Sequence, residues 1–118
     1  MGELADALRG IAPRLSIEVG RRRKGFMGAV LHHYLPQSWT VQSPSDAATL
    51  SVGIDGIVAV RDGTDPSADV VIRGPQAKLV AALTQGHGAD VRRTDFEIEL
   101  RTRKGRTTFE FLRERFGF

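Results

Sequence analysis

The hydrophobic positions change period along the chain, and each change marks an element. Leu4, Ala7, Leu8 and Ile11 fall at i, i+3, i+4 and i+7, which lays one apolar stripe along a helix over residues 3–12. Pro13 predicts its end, because proline has no amide N–H for the next turn. Leu15, Ile17 and Val19 alternate with Ser16 and Glu18, so residues 14–19 read either as a short strand or as a link between two helices. Helical spacing returns over 25–35 in Phe26, Val30, Leu31 and Tyr34, with Met27 and Leu35 adding apolar area and Pro36 closing the segment. A helix this apolar is expected to pack across a sheet.

From Trp39 onward the period is two. Trp39, Val41 and Ser43 alternate with Thr40 and Gln42, and Ser43 to Asp46 make a polar turn. Leu50, Val52 and Ile54 alternate, Asp55-Gly56 supplies a tight-turn dipeptide, and Ile57, Val58 and Val60 form the return strand. Asp62-Gly63 opens a loop containing Pro66, and Asp69 to Ile72 is the next strand. Gly74-Pro75 starts a helix with Leu79, Val80 and Leu83 on its apolar side and Gly86 as its C-cap. After the loop GHGADVRRT, Phe96, Ile98 and Leu100 alternate with Glu97, Glu99 and Arg101, a half-buried strand with a charged outer face. Lys104-Gly105 breaks it. Thr107-x-x-Glu110 reads as a capping box, and Phe109, Leu112 and Phe116 fall on one side of a closing helix. A return strand over residues 107–112 is the alternative. The sum is an α+β fold, one domain over 1–118, with a largely antiparallel, twisted sheet of about five strands and helices covering one face.

Composition narrows the function classes. Hydrophobic residues make up 41% and charged residues 26%, values of a chain that buries a core. Cysteine is absent, which excludes disulfides and thiolate metal sites and removes any need for an oxidising compartment. The start, MGELADALRG, lacks the pattern of a secretory signal, and no apolar run reaches the roughly 20 residues needed to span a bilayer. The cytoplasm is the expected location.

The formal charge is +3, but the basic groups are clustered. Arg21, Arg22, Arg23 and Lys24 form one run, Arg92 and Arg93 a second, and Arg101, Arg103, Lys104 and Arg106 a third. Such clusters suit RNA, DNA or an anionic membrane surface, and equally a solvated surface. Few aromatics are interleaved with them, which argues against a base-stacking site.

The chemistry-bearing residues point away from catalysis. His32 and His33 are helix neighbours about 100° apart and do not chelate as an i, i+4 pair would; a helix end favours their cationic form. No metal site or cofactor is expected. No serine sits in a nucleophile-elbow motif, and neither glycine-rich phosphate loop is present. Asp55, Asp62, Asp65 and Asp69 stand beside Gly, Pro or Ser and read as turn formers. Gly53, Gly56, Gly63 and Gly74 read as backbone punctuation. The tail FEFLRERFGF carries Phe109, Phe111, Phe116 and Phe118, more aromatic area than one helical stripe uses. The surplus suits a docked terminus, a lid over an apolar cavity, or a dimer contact.

Ala68-Asp69-Val70-Val71-Ile72, the helix from Pro75 to Thr84, Gly86, FEIELRTRKG over 96–105 and the closing helix resemble, in that order, the sterol-carrier-protein domain family over about Leu50 to Phe118. The N-terminal basic run and the loop GHGADVRRT have no counterpart in the pattern. The resemblance implies a non-enzymatic module that holds a sterol, fatty acyl chain or other hydrophobic molecule between the sheet and the closing helix. Leu79, Leu83, Phe109, Leu112 and Phe116 would then line the cavity, although the same residues would equally fill a core. The alternatives are a small nucleic-acid-binding protein using Arg21, Arg22, Arg23, Lys24, Arg101, Arg103, Lys104 and Arg106, or an assembly module that forms a homodimer through its phenylalanine-rich tail.

Overall fold

Five strands form one mixed sheet in the order β3-β2-β1-β4-β5: β1 Gln37–Gln42, β2 Ala47–Val52, β3 Val58–Asp62, β4 Val70–Arg73 and β5 Glu97–Leu100. Among the described residues three helices accompany them, α1 Glu3–Arg23, α2 Gln76–Gln85 and α3 Arg103–Phe116, with a 3₁₀ turn at Arg93–Asp95. The computed structural model describes residues 2–23, 35–55, 57–85 and 91–116, with the side chains of 14–23, 93 and 111–116 outside that description. The expected helix over 25–35 therefore lies almost wholly outside the described residues, as do Gly86, His32, His33 and His87.

All neighbouring strand pairs are antiparallel except β1 with β4. The registers put the two sides of the sheet to different uses. Val60, Leu50, Trp39, Val70 and Leu100 stand opposite one another in a row across all five strands, with Ala48, Val41, Ile72 and Ile98 in the next row. This apolar face takes the helices. The other face presents Arg61, Thr49, Thr40, Val71 and Glu99 in one row, and Gln42, Arg73 and Glu97 beside it. Period-two alternation in the sequence is the cause, since successive side chains of a strand point to opposite faces.

Leu4, Ala5 and Leu8 of α1 and Leu79 of α2 meet Val41, Ala48, Leu50, Val52 and Phe96 in the main core. Full burial of a leucine such as Leu79 contributes about 2–3 kcal/mol. The first turn of α1 is tied down by Asp46, which accepts the Leu4 amide at 3.0 Å. Gly74 keeps its place because a Cβ there would lie 2.7 Å from the Phe96 ring.

The chain passes from edge strand β3 to β4 by a loop that crosses the polar face. Gly63 turns into it with φ +91°. Thr49 Oγ1 donates to the Gly63 carbonyl at 2.9 Å, and the Asp65 amide donates to Thr40 Oγ1 at 3.3 Å. The loop buries Thr40 and Thr49, whose hydroxyls bond each other at 2.8 Å.

Three expectations change. The first helix does not stop at Pro13 but continues to Arg23. Arg9 and Pro13 are exposed, so the Arg9 carbonyl that proline leaves without a partner has access to water. Residues 14–19 accordingly belong to α1 and form no strand, because each residue added to an existing helix gains a hydrogen bond without a new nucleation step. The closing helix begins at Arg103 and not after a Lys104-Gly105 break. Its cap is Thr102, whose Oγ1 accepts the Gly105 amide at 3.0 Å, while Thr107 Oγ1 bonds back to the Arg103 carbonyl inside the helix. Residues 107–112 are helical, which removes the strand alternative.

Candidate functional site

Helix α3 is fastened to the sheet at its first turns by a polar clasp built on Asp69. That aspartate is buried, and its carboxylate accepts the Ser38 amide of β1 at 2.9 Å and the Thr102 hydroxyl at 2.7 Å. Its backbone takes part as well, with the Asp69 amide donating to the Ser38 carbonyl at 2.8 Å and its carbonyl accepting the Arg101 amide at 2.9 Å. Asp69 is therefore no turn former, contrary to the sequence expectation, although Asp55 and Asp65 are: they accept the Ile57 and Ser67 amides two residues on. Gly105 completes the clasp, since a Cβ there would stand 2.7 Å from the Asp69 carbonyl oxygen. Gln37, buried at the start of β1, donates from Nε2 to Thr108 Oγ1 at 2.5 Å and to the Lys104 carbonyl at 3.2 Å.

The clasp sets Phe109 on Trp39. Their ring centroids are 6.0 Å apart at an interplanar angle of 39°. The tryptophan N–H is satisfied by Gln37 Oε1 at 2.8 Å, which leaves the rest of the indole as apolar wall. Phe109 is buried, whereas Trp39, Ile98 and Leu100 remain half-buried. Half-buried positions also occur against the main core, at Val58, Val60 and Ile72, so coverage is incomplete in both regions of the apolar face.

The sequence-derived candidates divide between these two regions. Leu79 lies in the main core with Leu83 packed against it, and Phe109 stands outside that cluster on Trp39. Leu112 and Phe116 are on the helix that Phe109 belongs to, with side chains outside the described set. Two concavities of the described surface lie elsewhere. One of about 310 Å³ is lined by Arg9, Ala12, Pro13, Val58 and Val60, and one of about 210 Å³ by Thr40, Gln42, Thr64, Asp65, Pro66, Val71, Arg73 and Arg101.

The basic candidates are distributed over several tasks. Arg101 pairs with Glu99 at 3.0 Å and donates to the Pro66 carbonyl at 3.2 Å. Lys104 donates to the Pro36 carbonyl and lies 3.8 Å from Asp69. Arg103 and Arg106 are exposed on the first turn of α3. Arg21, Arg22 and Arg23 are in the last turn of α1, and Lys24 lies outside the described residues. On the polar face, hydrogen bonds from Arg101 and Arg73 hold the Glu99 carboxyl below its ordinary pKa. The Ser67 amide, followed by the Ser38 hydroxyl and Arg61, does the same for Asp65. No group of three His, Asp or Glu side chains able to hold a metal occurs among the described residues, and no described helix is long and apolar enough to cross a membrane.

Sequence reasoning overlooked Trp39, Gln37, Asp69 and Thr102. Trp39 carried a usable signal, as the only tryptophan and on an alternating strand. The Asp69–Thr102 pair spans 33 positions and carried none.

No family model matches the chain, and no curated protein matches it. Among solved structures, a double mutant of the sec-alkyl sulfatase PisA1 aligns with 17% identity and a TM-score of 0.45, over 65% of this chain and 13% of that one. The stereoselective inverting sec-alkylsulfatase Pisa1 from Pseudomonas sp. aligns with 17% identity and a TM-score of 0.43 over the same shares. The chain thus spans 13% of the length of these sulfatases. Sterol carrier protein 2 like 2 from Aedes aegypti aligns with 15% identity and a TM-score of 0.45, over 90% of this chain and 95% of that one. At such TM-scores these likenesses assign neither a family nor an activity.

Proposed function

We propose that this chain binds a hydrophobic ligand of the fatty acyl or sterol class between the apolar face of its sheet and helix α3, in the manner of the sterol-carrier domains that its sequence resembles, and performs no chemistry on it. The observation that carries the reading is the apolar wall of Trp39, half-buried beneath Phe109, and Leu100, half-buried in the same row of the sheet, under a helix whose described side-chain hydrogen bonds to the sheet come from its first turns. Phe109 rests on Trp39. A bound chain takes the place of that ring, and α3 moves outward about its clasp. In the sequence Leu112 and Phe116 follow Phe109 at i+3 and i+7, the spacing of one apolar stripe.

Burial of ten methylenes yields about 8 kcal/mol before the costs of association, so affinity is expected to be micromolar or weaker. Trp39, the sole tryptophan, reports directly. Delipidated protein titrated with palmitate, and separately with cholesterol, should show a saturable change in Trp39 emission and a bound mass in native mass spectrometry. Phe109→Asp should abolish both. A protein that takes up neither ligand at saturating concentration refutes the reading.

A further inference from the structure

We infer that the chain self-associates through strand β3, which pairs antiparallel with β3 of a second copy to make one continuous sheet. This stands apart from the ligand reading and uses none of its residues.

The backbone bonding of β3 gives the first argument. Gly53 donates to the Ile57 carbonyl at 2.9 Å, and Gly63 donates to the Ala47 carbonyl at 2.9 Å. Bonded pairs alternate along an antiparallel ladder, so in this register Ala59 and Arg61 also direct their backbone groups at β2. Val58, Val60 and Asp62 then direct theirs outward. β3 is the last strand of the sheet on that side, and among the described residues no strand pairs with its outer edge. Natural edge strands are often blunted by proline, by central charges or by a bulge. β3 has none of these over Val58–Val60, its charges being confined to Arg61 and Asp62 at one end.

The side chains select the partner and its register. Setting Ala59 opposite Ala59 of the second copy places Val58 against its Val60, and Val60 against its Val58. Those are also the outward-bonding residues, so the ladder and the apolar face continue together across the junction. On the polar face, Ile57 meets the aliphatic stem of the second copy's Arg61. Ile57 is 66% exposed in the single chain, more than Ile54, the other exposed isoleucine among the described residues. The alternative that centres on Val60 sets Asp62 against Val58, charge against apolar surface, and is disfavoured. Beside the edge lies the concavity of about 310 Å³ lined by Arg9, Ala12, Pro13, Val58 and Val60. In the pair it opens onto its symmetry mate, and the small Ala12 lets the two α1 helices approach. Strand and helix contacts together make an interface at or below about 1,200 Å², so a reversible dimer with a dissociation constant of about tens of micromolar is expected.

The absence of cysteine allows a test without background. In this register, Ala59 faces its own copy as a non-hydrogen-bonded pair, with Cα atoms about 4.5 Å apart, within disulfide range. Ala59→Cys should therefore oxidise to a covalent dimer about tenfold faster than Arg61→Cys, which faces Ile57 and not itself. Sedimentation of the unsubstituted protein should show a concentration-dependent dimer that Val60→Lys removes. Val60→Pro, which removes the outward N–H while keeping an apolar side chain at that place, should do the same if Val60→Lys fails to fold. A monomer at every concentration up to several hundred micromolar, a dimer unchanged by a folded Val60 variant, or equal oxidation of the two cysteine variants overturns the inference.

Discussion

Replacing Asp69 with alanine should destabilise the fold more than most single substitutions and should loosen α3 before the sheet. The carboxylate accepts the Ser38 amide at 2.9 Å and the Thr102 hydroxyl at 2.7 Å, and it is buried. Hydrogen bonds to a charged acceptor contribute about 1.5–3 kcal/mol each, and their loss leaves the Ser38 N–H without a partner. Thr102 can still cap Gly105, so that bond is retained. The expected loss is about 3–5 kcal/mol out of a total of about 5–15 kcal/mol. For a urea slope near 2 kcal/mol/M, the midpoint should fall by about 2 M. Asp69→Asn should cost less, because one side-chain oxygen still accepts a bond, but its amide sets a donor against a donor. Thr102→Val should cost about 1–2 kcal/mol through the lost cap and the lost bond to Asp69. Since the two residues share one contact, the double substitution should cost less than the sum of the singles. Trp39 emission gives the α3 readout, because Phe109 covers that indole, while far-ultraviolet dichroism follows the rest. In Asp69→Ala the fluorescence transition should precede the dichroism transition. A midpoint within about 0.5 kcal/mol of the parent, or strict additivity with Thr102→Val, refutes the clasp.

Two further outcomes follow from the same structure. Gly105→Ala would ordinarily favour a helix by about 1 kcal/mol, but here the added Cβ meets the Asp69 carbonyl oxygen at 2.7 Å and carbon at 3.0 Å; a lower melting temperature is expected, and an increase would show that the contact is not tight. The Asp46 carboxyl is held below its ordinary 3.8, chiefly by the Leu4 amide. Its ionised form therefore contributes stability above pH 3.8 that is lost as pH falls through the lower folded value. Melting temperatures measured from about pH 5 to 2 should fall less steeply in Asp46→Asn than in the parent, and parallel curves would count against that role.

The strands were legible and the joints were not, and the difference has a physical cause. Alternation in Trp39–Val41, Leu50–Val52 and Ile98–Leu100 follows from the local geometry of a strand with one buried face, so it marks both the element and its buried side. The helix boundaries depend on partners far away. Pro13 ends a helix only where the orphaned carbonyl lacks water, and Gly105 breaks one only where no neighbour demands its missing side chain. The first depends on exposure, and the second on Asp69 lying 36 positions earlier. The candidate site divided along the same line. Phe109 is buried, as the apolar stripe read from helical spacing requires, because amphipathicity is local. Its partner Trp39 and the clasp that positions both come from contacts between β1 and α3, which no periodicity records. Whether α3 is a fixed cover or a movable one therefore turns on polar bonds at its first turns, and not on the number of phenylalanines along it. Asp69, Thr102 and Gln37 are all gathered at the start of that helix.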